Sequence, residues 1–394
     1  MRKSRTSIKQ AGLALASVPP EQLLGGLTPE VFLRDYWQKR PLLVRQALPG
    51  FGEQLGPEGL KQLACRDDAE SRLVRHARGR WHLDHGPFTT DELEDLPRRN
   101  WSLLVSGVNL LLPFGDSLLR AFGFLPQARL DDLMVSYAPE GGGVGPHFDS
   151  YDVFLLQGLG RRRWEISAQT DLELVDDAPL RILKRFEPEQ SWELEAGDLL
   201  YLPPKYAHNG VALGPCMTWS IGFRAPKTSE ICAAFLNYVQ DRLDELPGMY
   251  ADPDLILPDH PAEITPMMLE RLAAMIGAIK WTPGDVETFL GTYLSEPKPQ
   301  IFFDPPKRPL TLERFVAQAT EHGLALDARS RLLFVRHIGF FMNGELVRAP
   351  RGGDKYLTEL ADQRRLSARK LPQALQPVLY EWYRAGYVRP SPDA

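Results

Sequence analysis

Only eight histidines occur in the 394 residues, and two of them, with one aspartate, fall where side-chain spacing could build a metal site. The stretch GPHFDSYDVF places His147 two residues before Asp149. In extended chain, residues two apart project to the same side, so this imidazole and carboxylate can take adjacent positions on one metal ion. The third candidate is His208, in GDLLYLPPKYAHNGVAL, where a strand-like run ends in two prolines and a short turn presents the histidine to the next strand. Two histidines and one carboxylate on one face of a metal leave its other positions open, the arrangement used by non-haem Fe(II) oxygenases. The same His-x-Asp spacing recurs at His82 and Asp84 in WHLDHGPF, so spacing alone identifies nothing. The two pairs differ in the chain behind them. After His82 comes GPFTTDELEDLPRRN, a polar loop and a short helix. After His147 comes a run that reads as strand, turn and strand, DVFLLQ–GLG–RRRWEI.

The second arm of that expected hairpin alternates. Trp164 and Ile166 are apolar and face a core, so the period of two puts Arg162 on the same inward side and Arg161, Arg163 and Glu165 outward. A buried guanidinium without an anion costs several kcal/mol, so an anion must lie opposite. A dicarboxylate cosubstrate fits, because guanidinium pairs with carboxylate through two parallel hydrogen bonds. An internal carboxylate, Asp132 or Glu195, fits equally well at this point. Ser136, in DLMVSYAP, also faces inward on this reading, either donating to the same carboxylate or as a satisfied polar residue of the wall. The glycine-rich EGGGVG that comes next has no helix behind it to make a phosphate cradle; it reads as a flexible rim at the substrate entrance.

These residues need elements to hold them. Between about 101 and 225 the chain has short β-type runs broken by glycine and proline, the texture of an antiparallel barrel or sandwich. Residues 27–48 include a helix capped by Thr28 with Pro29 at its first position. After 226 the texture is helical, with two segments opening Thr-Pro at 265 and 282; an apolar helical block outside the main domain suits self-association. The last ninety or so residues mix helices with a hairpin turning at Asn343–Gly344, a winged-helix pattern. The expected domains are a tail over 1–20, a catalytic barrel over 21–226, a helical dimerisation block over 227–298 and a winged-helix-like end over 299–394.

Composition supports a globular protein: 43% hydrophobic and 25% charged residues, with no apolar run long enough to span a membrane. Three cysteines without metal-binding spacing fit a reducing, cytoplasmic location. The net charge of −5 divides unevenly. Residues 301–394 hold fifteen Lys or Arg against ten Asp or Glu, which leaves −10 on the first 300. An acidic body suits a basic partner.

The segment DDLMVSYAPEGGGVGPHFDSYDVFLLQGLGRRRWEIS, followed by GDLLYLPPKYAHNGVAL and WSIGFRAP, closely resembles the JmjC-type, cupin-fold ribosomal oxygenases of bacteria, in particular the arginine-hydroxylating branch. FLRDYWQKRPLLV and NWSLLV extend the likeness over nearly the whole chain. The resemblance implies an α+β protein whose centre is a double-stranded β-helix (jelly-roll) barrel. It implies Fe(II) on His147, Asp149 and His208, with 2-oxoglutarate placing its distal carboxylate on Arg162 and Ser136 assisting. The implied reaction uses O2 to convert 2-oxoglutarate to succinate and carbon dioxide while hydroxylating the β-carbon of an arginyl residue in large-subunit ribosomal protein sixteen. Homodimerisation is implied, and no membrane or direct nucleic-acid contact is expected. Histidyl hydroxylation and N-methyl demethylation remain alternatives within the superfamily; a non-catalytic cupin and winged-helix regulator is the alternative of another class. The substrate pocket is unassigned, although Tyr137, Tyr151 and Asp152 lie near the ligands in sequence.

Overall fold

Eleven short strands carry the first part of the chain: β1 (Leu42–Val44), β2 (Ser71–Ala77), β3 (Arg80–His85), β4 (Trp101–Val105), β5 (Leu130–Ala138), β6 (Val153–Leu159), β7 (Arg162–Ser167), β8 (Gln190–Leu194), β9 (Leu199–Leu202), β10 (Ala207–Ala212) and β11 (Cys216–Phe223). They form an antiparallel eight-stranded sheet in the order β1-β9-β6-β11-β5-β4-β2-β3 and a three-stranded sheet β10-β7-β8. This computed structural model describes residue 15 and residues 18–391, except residue 53 and the side chain of residue 245. The tail expected over 1–20 lies almost wholly outside them. The chain divides after Ala225 into two units.

The central strands of the large sheet are buried on both faces. Its outer side chains, among them Val135, Phe154, Tyr201 and Trp219, pack against the helices α1 (Pro29–Asp35), α2 (Pro57–Ala64) and α3 (Pro113–Arg120), through residues such as Phe32, Leu60 and Leu118. Thr28 caps α1 as expected, accepting from Val31 N, with Pro29 at the first position where its missing N–H costs nothing. The inner side chains Val153, Leu155, Leu200 and Leu202 meet Trp164, Ile166 and Leu194 of the small sheet. Two sheets closed face to face over one core make the jelly-roll barrel.

One expectation is corrected. β6 and β7 are not the arms of a hairpin: β6 pairs with β9 and β11, and β7 with β8 and β10. Gly160, at φ +61°, turns the chain out of the large sheet against Pro215, whose carbonyl oxygen would lie 2.1 Å from a Cβ there. The link is a corner between sheets, and the partners of β7, β8 and β10, arrive about twenty and forty residues later. The inward alternation of β7 survives the correction, since Arg162, Trp164 and Ile166 are all buried.

The second unit contains α4 (Thr228–Gln240), α5 (Pro266–Ile276), α6 (Pro283–Ser295), α7 (Leu312–His322), α8 (Asp354–Gln363) and α9 (Gln376–Arg384). Thr265 and Thr282 cap α5 and α6. Strands β12 (Leu324–Leu326), β16 (Arg365–Leu366) and β17 (Val388–Pro390) form one small sheet, and β13 (Leu332–Val335), β14 (Gly339–Met342) and β15 (Glu345–Val347) the wing. Asn343 and Gly344 turn β14 into β15, both at positive φ as a two-residue hairpin turn requires. The wing has a further strand beyond the expected hairpin, because the chain also reverses between Val335 and Gly339. Phe315, Leu324, Leu357, Leu379 and Phe340 form its core. By contrast, α4 and α5 bury none of their side chains within the chain.

Candidate metal and cosubstrate site

His147 and His208 are fastened to each other by the backbone. His147 N donates to His208 O at 2.9 Å and His208 N to His147 O at 2.8 Å, a single antiparallel rung that adds the His147 segment to the edge of β10. The two rings lie 4.2 Å apart. Each Nδ1 lies 2.9 Å from the carbonyl oxygen two residues back, Gly145 O for His147 and Tyr206 O for His208. A carbonyl only accepts, so both Nδ1 atoms carry the proton and both Nε2 lone pairs are free to ligate. Asp149 approaches His208 Nε2 with Oδ2 at 3.8 Å, and its loop is held by Lys205 N donating to Asp149 O at 2.7 Å. Burial, then the neighbouring His147, pushes the His208 pKa down to about 4, which keeps it a neutral ligand.

The ligand atoms of His147, Asp149 and His208 all lie within 4.8 Å of one another, and they are the only such group among the described residues. The donor set, two neutral imidazoles and a carboxylate, suits a divalent transition metal with open positions. His82 and Asp84 are not part of any such group. They sit side by side on the outer face of β3, where Asp84 pairs with Arg75 at 2.7 Å. The chain behind them is the expected polar loop with a short helix, Thr90–Glu94; His82 and Asp84 themselves lie in a strand that pairs with β2.

Arg162 is 4% exposed, and its Nε and Nη2 are buried with no hydrogen-bond partner. Neither internal carboxylate pairs with it: Asp132 accepts from Gly107 N, and Glu195 is exposed. Its guanidinium stands 5.7 Å from the Trp164 ring, which in turn lies 5.8 Å from the His208 ring. This guanidinium inside the barrel, one aromatic ring removed from His208, has unmet donors that suit an anion. Ser136 is buried on the inner face of β5, opposite Thr218, with only a 3.5 Å contact from Oγ to Thr218 O. Thr218 donates to Gln157 Oε1 at 3.1 Å. Sequence reading turned Ser136 inward but missed its neighbours Thr218 and Gln157, although the same period of two could have found them.

The glycine loop is not a loose rim. Gly141 N donates to Ala212 O and Ala212 N to Gly142 O, both at 2.9 Å, which clamps the loop to β10. Gly145, at φ +80°, is enclosed by Trp81 and Ile182, each with a carbon 2.7 Å from where a Cβ would stand. A side chain there would displace the carbonyl that orients His147. Of the three residues flanking the ligands, Tyr137 faces outward against Trp101. Asp152 is fully buried, accepting from Tyr201 Oη, Gln38 Nε2 and Arg129 Nη2. Tyr151 alone stays at the mouth; burial of its hydroxyl end, then Asp149 and Asp132, push its pKa up, so it remains a neutral donor.

Residues 117–231 match the family described as JmjC domain, and residues 278–389 the ROXA-like winged helix. The ribosomal protein uL16 3-hydroxylase of Escherichia coli is 37% identical over 351 residues, covering 88% of this chain and 91% of that protein. The chain belongs to the JmjC-type ribosomal oxygenases. A probable ribosomal oxygenase of Haemophilus influenzae is 40% identical over 210 residues, 52% of each chain. The crystal structure of E. coli YcfD superimposes with a TM-score of 0.80 at 34% identity, over 92% of this chain and 98% of that one. A YcfD structure in complex with cobalt and 2-oxoglutarate gives 0.78 at 35% identity over the same shares. Within this family of oxygenases, the His147–Asp149–His208 cluster and the orphaned Arg162 have the donor chemistry that a divalent metal and a 2-oxo dicarboxylate need.

Proposed function

We propose that this protein is an Fe(II)- and 2-oxoglutarate-dependent oxygenase that hydroxylates the β-carbon of an arginyl residue in ribosomal protein uL16. The observation that carries the reading is the pairing, inside one barrel, of a His–Asp–His cluster with a buried guanidinium that has no internal anion. The E. coli relative is a uL16 3-hydroxylase by name, and the 3-position of an amino acid is its β-carbon. On this reading His147, Asp149 and His208 hold iron, and Arg162 takes the distal carboxylate of 2-oxoglutarate with Ser136 beside it. Bound iron lets 2-oxoglutarate and O2 react to succinate and carbon dioxide, with one oxygen atom inserted into the substrate C–H bond. The protein's part is positional. The rung between His147 and His208 sets the ligands, the guanidinium fixes the cosubstrate's far end, and the apolar walls of Leu155, Trp164 and Ile166 exclude water. At the mouth, Asp132 and the Tyr151 hydroxyl face the approach of a basic side chain.

We also infer a homodimer, in which a second copy covers the helical block. Met249, Ile256, Leu257, Ile264 and Ile276 are 62–92% exposed there, an apolar surface too large for solvent. The domain limits proposed are those of the sequence reading, a barrel over 21–226, a dimerisation block over 227–298 and a winged-helix end over 299–394. No described helix is long and apolar enough to cross a membrane; a cytoplasmic location follows from the proposed ribosomal substrate.

The test is incubation of recombinant uL16 with the protein, Fe(II), 2-oxoglutarate and O2, read by tandem mass spectrometry. A gain of one oxygen on an arginine, matched by succinate, is expected. A gain on histidine or the loss of a methyl group would replace the proposed specificity. No turnover of 2-oxoglutarate with any substrate would leave the non-catalytic reading.

A further inference from the structure

The hairpin β2–β3 is a basic island on an acidic body. Residues 71–85 hold four arginines, Arg72, Arg75, Arg78 and Arg80, and three of the eight histidines, against one acid, Asp84. The first 300 residues as a whole carry −10, so this concentration is local and of opposite sign. β3 is the free edge of the large sheet. Arg78 and Gly79 make the turn, both at positive φ, and the tip projects Arg78 and Arg80 into solvent. Asp84 is already taken by Arg75. Arg98 is exposed at the same end of the sheet, since Asn100 O accepts from His76 N at 3.0 Å. Among the described residues, Arg78, Arg80 and Arg98 make no ion pair.

The hairpin also carries stacked rings. His76 and Trp81 lie opposite each other in the β2–β3 register, 4.3 Å apart and 24° from parallel. Register along the sheet, from Arg72 through Leu104 to Ser136, places them on its inner face, and Trp81 reaches Gly145 beside the metal-ligating loop. A β-ribbon with unpaired arginines at its tip and a partly exposed aromatic stack one rung below it matches what single-stranded nucleic acid requires: cations for phosphates and rings for bases.

We propose that the β2–β3 hairpin is an RNA-contacting arm, which engages RNA around a ribosomal-protein substrate while the adjacent site receives the protein. This departs from the expectation of no nucleic-acid contact. The polyanion surface stands on charge and geometry alone; the choice of RNA rests on the proposed ribosomal substrate.

The test is fluorescence anisotropy of the full-length protein with a labelled single-stranded RNA of roughly 20 nucleotides, longer than one binding groove needs, across a salt series. Binding should weaken with salt. Arg78→Glu with Arg80→Glu should lower affinity at least about tenfold and flatten the log K against log salt slope by about 1.4, two phosphate contacts at about 0.7 each. Arg98→Glu, on a separate segment, should weaken binding in the same direction, and Arg78→Lys with Arg80→Lys should retain it. The first double variant should still convert 2-oxoglutarate at the wild-type rate, because neither side chain touches the site. Wild-type binding that is absent or indifferent to salt overturns the proposal, as does unchanged affinity in the reversal variants. Loss of binding on Arg336→Glu with Arg348→Glu alone would move the contact to the C-terminal wing. Equal competition by polyglutamate would assign the arm to an acidic protein. The mass-spectrometric assay on uL16 scores the hydroxylase reading separately from all of these.

Discussion

Replacing Arg162 by methionine separates an anion receptor from a structural ion pair, because the two give opposite signs. The side chain is 4% exposed and two of its nitrogens have no partner, so the cosubstrate-free protein keeps an uncompensated buried charge. Arg162→Met removes that charge while preserving most of the volume, and the melting temperature without ligand should stay level or rise. 2-Oxoglutarate binding should collapse. Losing one partner of a buried charge pair costs about 3–5 kcal/mol, between roughly a hundredfold and a few thousandfold in Kd. At a ligand concentration 100 times the wild-type Kd, wild type gains about 2.7 kcal/mol, or about 5–10 °C for a unit of this size. A variant weakened a hundredfold gains only about 0.4 kcal/mol under the same conditions, a shift of about 1 °C. Differential scanning fluorimetry with Mn(II), with and without 2-oxoglutarate, reads both quantities. A variant that melts several degrees lower without ligand, yet still shifts fully with 2-oxoglutarate, would refute the assignment of Arg162 and point to an internal carboxylate.

Asp149→Ala or His208→Ala should reduce Co(II) affinity by about 100-fold or more, above the range seen for residues that merely support ligands, as titrated by the visible absorption of bound cobalt. Gly145→Ala puts a Cβ 2.7 Å from both Trp81 and Ile182 at φ +80°; it should cost about 1–3 kcal/mol in urea unfolding and weaken metal binding, since the displaced carbonyl orients His147. Asp152→Ala strips the acceptor from Tyr201, Gln38 and Arg129 and should destabilise the protein by about 3 kcal/mol, with an unchanged Kd for 2-oxoglutarate in the protein that remains folded. In sedimentation equilibrium the wild type should be dimeric and Ile256→Glu with Leu257→Glu monomeric at the same concentration; a monomeric wild type would refute the proposed dimer.

The faces of His147 and Asp149 and of the inward arginine were legible because both depend on local period. Residues two apart share a side whether the chain is a paired strand or a single bridge, so His147 with Asp149, and Arg162 with Trp164 and Ile166, kept their faces. What local period does not carry is the identity of the partner strand. β7 lies two residues from the end of β6 and pairs instead with β10, so a run that looks like a hairpin is a corner. The glycines of EGGGVG misled for a related reason: absence of side chains reads as freedom, whereas here it permits the backbone of β10 to approach within clamping distance. Around His82, glycine and charged residues masked a strand whose pairing with β2 is plain only when both runs are laid together. The role of Asp152 was illegible, since its partners Gln38, Arg129 and Tyr201 come from three distant segments.

The double backbone bond between His147 and His208 joins residues sixty-one positions apart through main-chain atoms. The two imidazoles are therefore set in place by the folded chain itself, their protonated nitrogens already turned away. The relation between the two imidazoles is thus a matter of strand register, and a slip of β10 by one residue would carry His208 to the opposite face of its strand.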